Sequence, residues 1–363
     1  MAHTNPPVSA PALDSATVVI PVWNGEAVIQ ECLAALYVHS GERLHSVIAV
    51  DNASADGSVR CIEGMFPQVQ IIRAGFNLGF AGGVNLGIAA ASGDPVVLLN
   101  QDCLVDAGWL DALCAGLMGD PQAAIGGCTI YNPDNTINHA GAQIEMPLAY
   151  ARHHTDLPAG PVRVEYVTGA VFAIRRAAWQ ALGPLDEDFY PAYYEEADYC
   201  YRAARHGWGV LYVPEAGAHH LQSSRAWRED PLLHCSRQHR ARYRFVAKHF
   251  ADAALADFLA AELTAAAQEE WLDQALGRAL AARRTLAGLD MALQRRRQEL
   301  GDDLPPADRR RLETGLAALA QTALQRSYAL AQRSHAESLP RRVRRRLGLL
   351  GSDGDHLPPA AAQ

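Results

Sequence analysis

The chain has 363 residues, a formal net charge of −8 and 49% apolar residues, enough for two domains with packed cores and too apolar for a disordered chain. With 40 acidic against 32 basic side chains it lacks the basic field of a dedicated nucleic-acid binder. Arginine supplies nearly all of the positive charge, and Lys248 is the one lysine.

Cysteines at 32, 61, 103, 114, 128, 200 and 235 form no close pair at metal-ligand spacing. An odd, scattered set predicts reduced thiols in a cytosol. Residues 1–16 are polar and proline-containing, without the pattern of a secretory signal, and read as a disordered tail. No apolar run nears the roughly 20 residues that span a bilayer. The expectation is a cytoplasmic protein whose membrane contact, if any, is peripheral and at the inner face.

From Thr17 onward, β-branched runs alternate with helical stretches. Thr17–Val22, Ser46–Val50, Val69–Arg73 and Pro95–Leu99 predict strands; Glu26–Tyr37, Ser58–Met65, Phe80–Ala91 and Gly108–Leu117 predict the helices between them. Short connections imply an α/β fold, a mostly parallel sheet with helices on both faces. Residues 131–160 predict a hairpin or irregular insertion, and Val162–Arg175 two more apolar runs. Ala177–Leu182 and Glu195–His206 read as helices, and Val210–Val213 as a last short strand ended by Pro214.

After about Ser236, alanine, leucine, glutamine and arginine take over at helical spacing. The Asp302-Asp303-Leu304-Pro305-Pro306 stretch predicts a break between two long helical arms. Arginine outnumbers acidic residues 16 to 10 over 268–348, which marks a second surface character. The expected division is a domain over 17–250, an α-helical module over 251–348 and a disordered tail over 349–363. The run Arg341-Arg342-Val343-Arg344-Arg345-Arg346 fits either a solvated helix end or an anionic membrane surface, and the helices also suit homodimer formation.

In open α/β sheets the ligand crevice lies beyond the carboxyl ends of the strands. Asp51-Asn52 ends the second strand and Asn100-Gln101-Asp102 the fourth. Between them, Asn77-Leu-Gly79-Phe80-Ala-Gly82-Gly83-Val-Asn85 lets a backbone approach phosphate at a helix start. It does not spell the dinucleotide fingerprint, which disfavours a nicotinamide enzyme. Asp186 to Asp198 interleaves carboxylates with aromatic residues, a pattern for a half-buried wall that raises a carboxyl pKa into the range of a general base. His219-His220 follows the last expected strand.

In this order, PVWNG, VDNASADGS, NLGFAGGVN, LLNQD, TGAVFAIRR, LGPLDEDFYPAYYEEADYCYRA and VPEAGAHH resemble family 2 glycosyltransferases of the GT-A fold, and within them the rhamnosyltransferase and galactofuranosyltransferase branch. The resemblance spans roughly Thr17 to Lys248. It implies that Pro21, Asn24 and Asp51 border the nucleotide, and that Asn77, Gly79, Gly82, Asn85, Asn100 and Gln101 line the nucleotide-sugar channel. Asp102 and His220 would hold Mg2+ or Mn2+; Asn100 stands where the family's Asp-x-Asp-type motif has its first Asp. Gly169, Ala170 and Asp198 would form the acceptor side. Glu196 would be the general base, with Glu195 as its rival.

The implied activity is transfer of a sugar, rhamnose first, from a nucleotide-diphosphate donor to a glycan or lipid-linked glycan acceptor, with inversion of configuration. A catalytically inactive domain that binds nucleotide-sugar or glycan as a scaffold is the alternative. A nucleotidyltransferase is disfavoured because PVWNGEAV lacks a base after the first strand.

Overall fold

The computed structural model describes residues 15–221 and 230–333. The expected tail up to residue 14, the arginine run 341–346 and the tail 349–363 lie outside the described residues. In chain order the first half contains β1 (Ala16–Val22), α1 (Ile29–His39), β2 (Leu44–Asp51), α2 (Ser58–Met65), β3 (Gln70–Arg73), α3 (Gly79–Ala90), β4 (Val96–Leu99), β5 (Cys103–Val105) and α4 (Trp109–Gly119). There follow β6 (Ala123–Tyr131), β7 (Ile137–His139), β8 (Ala142–Glu145), β9 (Tyr150–His153), β10 (Val162–Val164), β11 (Val171–Ile174), α5 (Arg176–Leu182), α6 (Glu195–Arg205) and β12 (Gly209–His220).

The main sheet runs β10-β12-β6-β11-β4-β1-β2-β3. Its β4-β1-β2-β3 half is parallel; β11 then runs antiparallel to both β4 and β6, while β12 is parallel to β6. Both faces are covered. Val19, Ile48 and Val50 pack on the α3 side, and Val18, Ile20, Val47 and Ala49 on the α1 side, the period-two alternation of a doubly buried strand. Gly87 sets the helix–sheet distance, because a Cβ there would sit 2.2 Å from Val19 Cγ1.

Two expectations change. Pro214 does not end the last strand: β12 runs to His220, and a register shift between Val213 and Gly217 absorbs the proline. A bulge is one of the few places where a strand tolerates proline. No expected element covered β6, whose AAIGGCTIY run has two glycines that hide its strand character.

The C-terminal helices are α7 (Pro231–His249), α8 (Asp252–Gln268), α9 (Leu272–Ala287), α10 (Leu289–Leu300) and α11 (Pro306–Arg333). The break at Asp302–Pro305 is present, but the first arm is four helices rather than one. These helices do not stand apart. Phe245 of α7, Phe258 of α8, Ala282 of α9 and Leu316 of α11 share one continuous apolar core with Val19, Leu98 and Phe172 of the sheet.

Candidate active site

The carboxyl ends of β1, β2 and β4 open on one crevice. On the β1–β2 side the two loops are tied together: the Asn24 amide oxygen accepts the Ala55 N–H at 2.8 Å, the Ser58 hydroxyl accepts the Gly25 N–H at 2.8 Å, and Asp56 accepts the Glu26 N–H at 3.0 Å. Asp51 is 7% exposed and takes the Ser54 N–H at 2.9 Å. Asn52, next to Asp51 at the strand end, donates to the Gly79 carbonyl at 3.0 Å and so joins this loop to the start of α3. Asn77 accepts the Gly79 N–H in the same turn. Gln101 makes two bonds to the Trp23 backbone, at 3.0 and 3.1 Å, and holds an indole that is 53% exposed.

At the next strand end, His220 Nε2 lies 3.1 Å from Asp102 Oδ1 and 3.5 Å from the Asn100 amide nitrogen. The continuation of β12 produces this: His220 pairs with Cys103 of β5, directly after Asp102. The Leu221 N–H donates to the Asp102 carbonyl at 2.9 Å and fixes the pair further. Both side chains remain partly exposed. Two ligand atoms on one edge of an octahedral ion, with bonds near 2.1 Å, sit about 3 Å apart, so this pair fits a shared divalent cation with its remaining positions open. Cys103 is adjacent but fully buried, and burial pushes its thiol up, so it offers no thiolate.

Glu195 and Glu196 occupy the first turn of α6, entered through Tyr193 and Tyr194 at φ 87° and 68°. A helix N-terminus favours a carboxylate by less than one pKa unit, roughly 0.3–1 kcal/mol, whereas burial shifts such a group by several. Burial wins: both carboxyls are raised, Glu195 strongly and further by Glu196 beside it. The Gly169 backbone lies close enough to Glu196 to oppose that rise in part, and the Ala170 carbonyl accepts the Asn100 N–H at 3.0 Å. One two-residue turn therefore spans from the buried carboxylate to the strand end that carries Asp102. Phe80 closes over it, 3.0 Å from where a Gly169 Cβ would be.

Residues 11–243 match the model of the family described as Glycosyltransferase like family 2. The chain belongs to that family. It is a glycosyltransferase. A curated relative, the N-acetylglucosaminyl-diphospho-decaprenol L-rhamnosyltransferase of Mycobacterium tuberculosis, is 28% identical over 234 residues, covering 57% of this chain and 76% of the relative. Among solved structures, GalNAc-T7 with UDP, GalNAc and Mn2+ superposes with a TM-score of 0.56 at 15% identity, over 88% of this chain and 57% of that one. TarS 1-349 of S. aureus does so with 0.53 at 13% identity, over 88% and 91%. These likenesses establish the GT-A fold, and with the family they establish sugar transfer from a nucleotide donor.

Two residues expected to line the transferase crevice do other work. Asn85 is buried and donates to the Leu185 carbonyl and to Glu187, while its oxygen accepts the Leu185 N–H, each at 2.9 Å. It ties α3 to the segment before α6 rather than facing a sugar. Asp198 is wholly buried on the far side of α6, where it takes the Lys248 ammonium at 2.7 Å, His249 at 2.7 Å and Arg202 at 3.2 Å. Its neighbours hold it well below the usual carboxylate range, Lys248 foremost among the stabilising charges. An acceptor hydroxyl cannot reach it. The i, i+2 spacing from Glu196 carried the signal, because such residues do not share a helix face.

Asp186, Asp198 and Glu299 form a second acidic cluster, but Lys248 already occupies it. The likeness in chain order could not separate a carboxylate that faces substrate from one that faces an ammonium.

Proposed function

We propose that this glycosyltransferase inverts the anomeric centre of its donor in a single displacement, with Glu196 as base and Asp102 and His220 as the protein ligands of Mg2+ or Mn2+. The observation that carries the reading is the short path from Glu196, beside the Gly169 backbone, to the Ala170 carbonyl and the Asn100 N–H it accepts, two residues from Asp102. It supports a nucleophile-activating group and a pyrophosphate-binding end in one crevice.

When bound, the cation would neutralise charge that develops on the departing diphosphate. The chain's own residues do the rest. Asp51, Asn24 and Pro21 border the nucleoside; the glycine-opened start of α3 lets backbone N–H groups approach phosphate; Gln101 holds Trp23 at the rim. Glu196, raised by burial, takes the acceptor hydroxyl's proton as its oxygen attacks the anomeric carbon. That carboxylate sits beside the Gly169 backbone on the acceptor side, floored by Gly169 and Ala170.

Rhamnose from a deoxythymidine-diphosphate donor is the first donor, supported by the 28% identical rhamnosyltransferase, and galactofuranose from a uridine-diphosphate donor the next. The acceptor class is a glycan or lipid-linked glycan, met at the cytoplasmic face of a membrane. No helix among the described residues is long and apolar enough to cross one. A donor screen that reads released nucleoside diphosphate, with Asp102→Ala and Glu196→Gln beside wild type, tests the reading. Wild-type rates in both variants would sink the site assignment, and a retained anomeric configuration would sink the single displacement.

A further inference from the structure

Between the transferase domain and the C-terminal helices lies a cavity of about 420 Å³ that the donor chemistry does not use. That volume falls within the roughly 300–1,000 Å³ range of small-molecule pockets. Its wall combines Tyr150 of β9 and Gln238 of α7 with Glu269, Trp271, Gln274 and Arg278 at and beyond the α8–α9 corner. Trp271 is 72% exposed at its rim, whereas Trp109, Trp179 and Trp208 pack in or against the core.

The charges of this wall are already balanced. Arg242 and Arg278 both pair with Glu262, and Arg278 also with Glu269 at 3.3 Å. Two guanidinium groups against two carboxylates leave no surplus for a phosphate or an anionic headgroup. His239, behind Gln274 at 3.1 Å, is pushed far down by burial and stays neutral. Tyr150 is itself engaged, its hydroxyl accepting Arg278 at 2.9 Å and its ring covered by Arg242 at 4.1 Å. What remains is the flat apolar face of the Trp271 indole beside the Gln238 amide and the amide nitrogen of Gln274. A neutral saccharide presents the complementary surface, an apolar C–H face edged by hydroxyls.

The cavity also adjoins the catalytic turn. Tyr194 lines it and immediately precedes Glu195-Glu196; its phenol feels both the Arg242 guanidinium and the Glu196 carboxylate. His234, one helical turn before Gln238, bonds the Tyr193 hydroxyl at 3.1 Å. Glu269, Trp271, Gln274 and Arg278 all fall after residue 243, where the family match ends.

We infer that this cavity is an acceptor subsite, in which Trp271 and Gln274 hold an uncharged sugar unit of the acceptor next to the one that receives the transferred sugar. The assignment rests on the reading of Glu196 as the base on the acceptor side. It gives the C-terminal helices a role in choosing the acceptor and makes an oligosaccharide, rather than a lone hydroxyl compound, the substrate class.

The test is a printed array of neutral mono- to tetrasaccharides, probed with the labelled full chain as wild type, Trp271→Ala and Gln274→Ala. Wild type should bind a subset of glycans of two or more units, and each variant should lose at least tenfold in apparent affinity while melting at the wild-type temperature. No wild-type binding, or equal binding by Trp271→Ala, overturns the subsite. Diphosphate release from donor by the same wild-type preparation reports on the transferase reading separately. Its absence alongside Trp271-dependent glycan binding would defeat that reading and leave the saccharide pocket standing.

Discussion

His220 Nε2 lies 3.1 Å from Asp102 Oδ1 although 118 positions separate the two residues. The bulge at Pro214 makes this possible, because a strand that stopped at Val213 would leave the histidines in a loop. Both ligands should therefore be needed together. Chelation should abolish turnover and added Mn2+ or Mg2+ restore it. Asp102→Asn and His220→Ala should each lose roughly 10²–10³-fold in kcat, the range for removing one preorganised electrostatic contact. The check is diphosphate release titrated against metal; turnover indifferent to chelator contradicts the pair's role.

Burial raises Glu195 and Glu196 above the ordinary carboxyl value of 4.5. A general base works only when ionised, so with Glu196 in the proposed role kcat/KM should climb with pH through a pKa above that value, and Glu196→Gln should cost roughly 10²–10⁴-fold. Glu195→Gln should cost less, since its side chain is the more deeply buried of the two.

The same shifts set a stability trend. A carboxyl raised in the fold favours the folded state at low pH, and the benefit disappears as pH rises through the folded pKa. At pH 8, Glu195→Gln should therefore melt above wild type, and the gap should narrow toward pH 4. Thermal melts across that window decide it; a gap that widens on acidification contradicts the buried charge.

Much of the crevice was legible because strand-end carboxylates and glycine-opened helices obey local rules. β1, β2 and α2 fall where alternation and periodicity put them, since both strand faces are buried and the pattern has no competitor. What escaped depends on contacts distant in sequence. Pro214 reads as a terminator until β6 and β5 are present on either side of β12 to carry it past the bulge. Asp198 reads as one more acid in an acidic run; its i, i+2 spacing from Glu196 puts the two on different faces, but that its face is the inner one depends on Lys248 and His249 arriving from α7. The four-way division of the first helical arm turns on Phe250-Ala251, the Glu269–Trp271 corner and Gly288, weak breaks in an alanine-rich stretch.

Lys248 joins α7 to α6 and α10 through Asp186 at 3.1 Å, Asp198 at 2.7 Å and Glu299. Lys248→Met would remove the ammonium that three carboxylates share, leaving Arg244 as the close partner of Asp186, Arg202 and His249 as those of Asp198, and Arg202 near Glu299. Breaking a buried pair on one side costs about 3–5 kcal/mol, and urea unfolding should show a loss of that order. Asp186 and Asp198 are held low by these partners, so their stabilisation is present above the unfolded carboxyl pKa and fades as pH falls through the folded values. Wild type should consequently lose stability on acidification faster than Lys248→Met does. Asp198→Asn should likewise lower stability while leaving the acceptor KM of the folded enzyme unchanged; a KM effect without a stability effect would restore it to the acceptor site.

Gly79 is where donor and acceptor sides meet. Its φ of +75° lies in the left-handed region, and a Cβ would stand 2.8 Å from the Pro191 carbonyl oxygen and 2.8 Å from the Tyr190 ring. The Phe80 N–H donates to that same Pro191 carbonyl at 2.8 Å, four residues before Glu195. Gly79→Ala therefore combines backbone strain with a contact that no side-chain rotation relieves, at a cost of roughly 1–3 kcal/mol. Because the displaced segment leads into α6, the variant should raise the donor KM and lower kcat together. A variant of Gly64, where a Cβ meets nothing within 4 Å, controls for the general effect of adding a methyl group. Steady-state kinetics on both separate the two: if Gly79→Ala changes only the donor KM, the link between the phosphate-facing turn and the base is not mechanical.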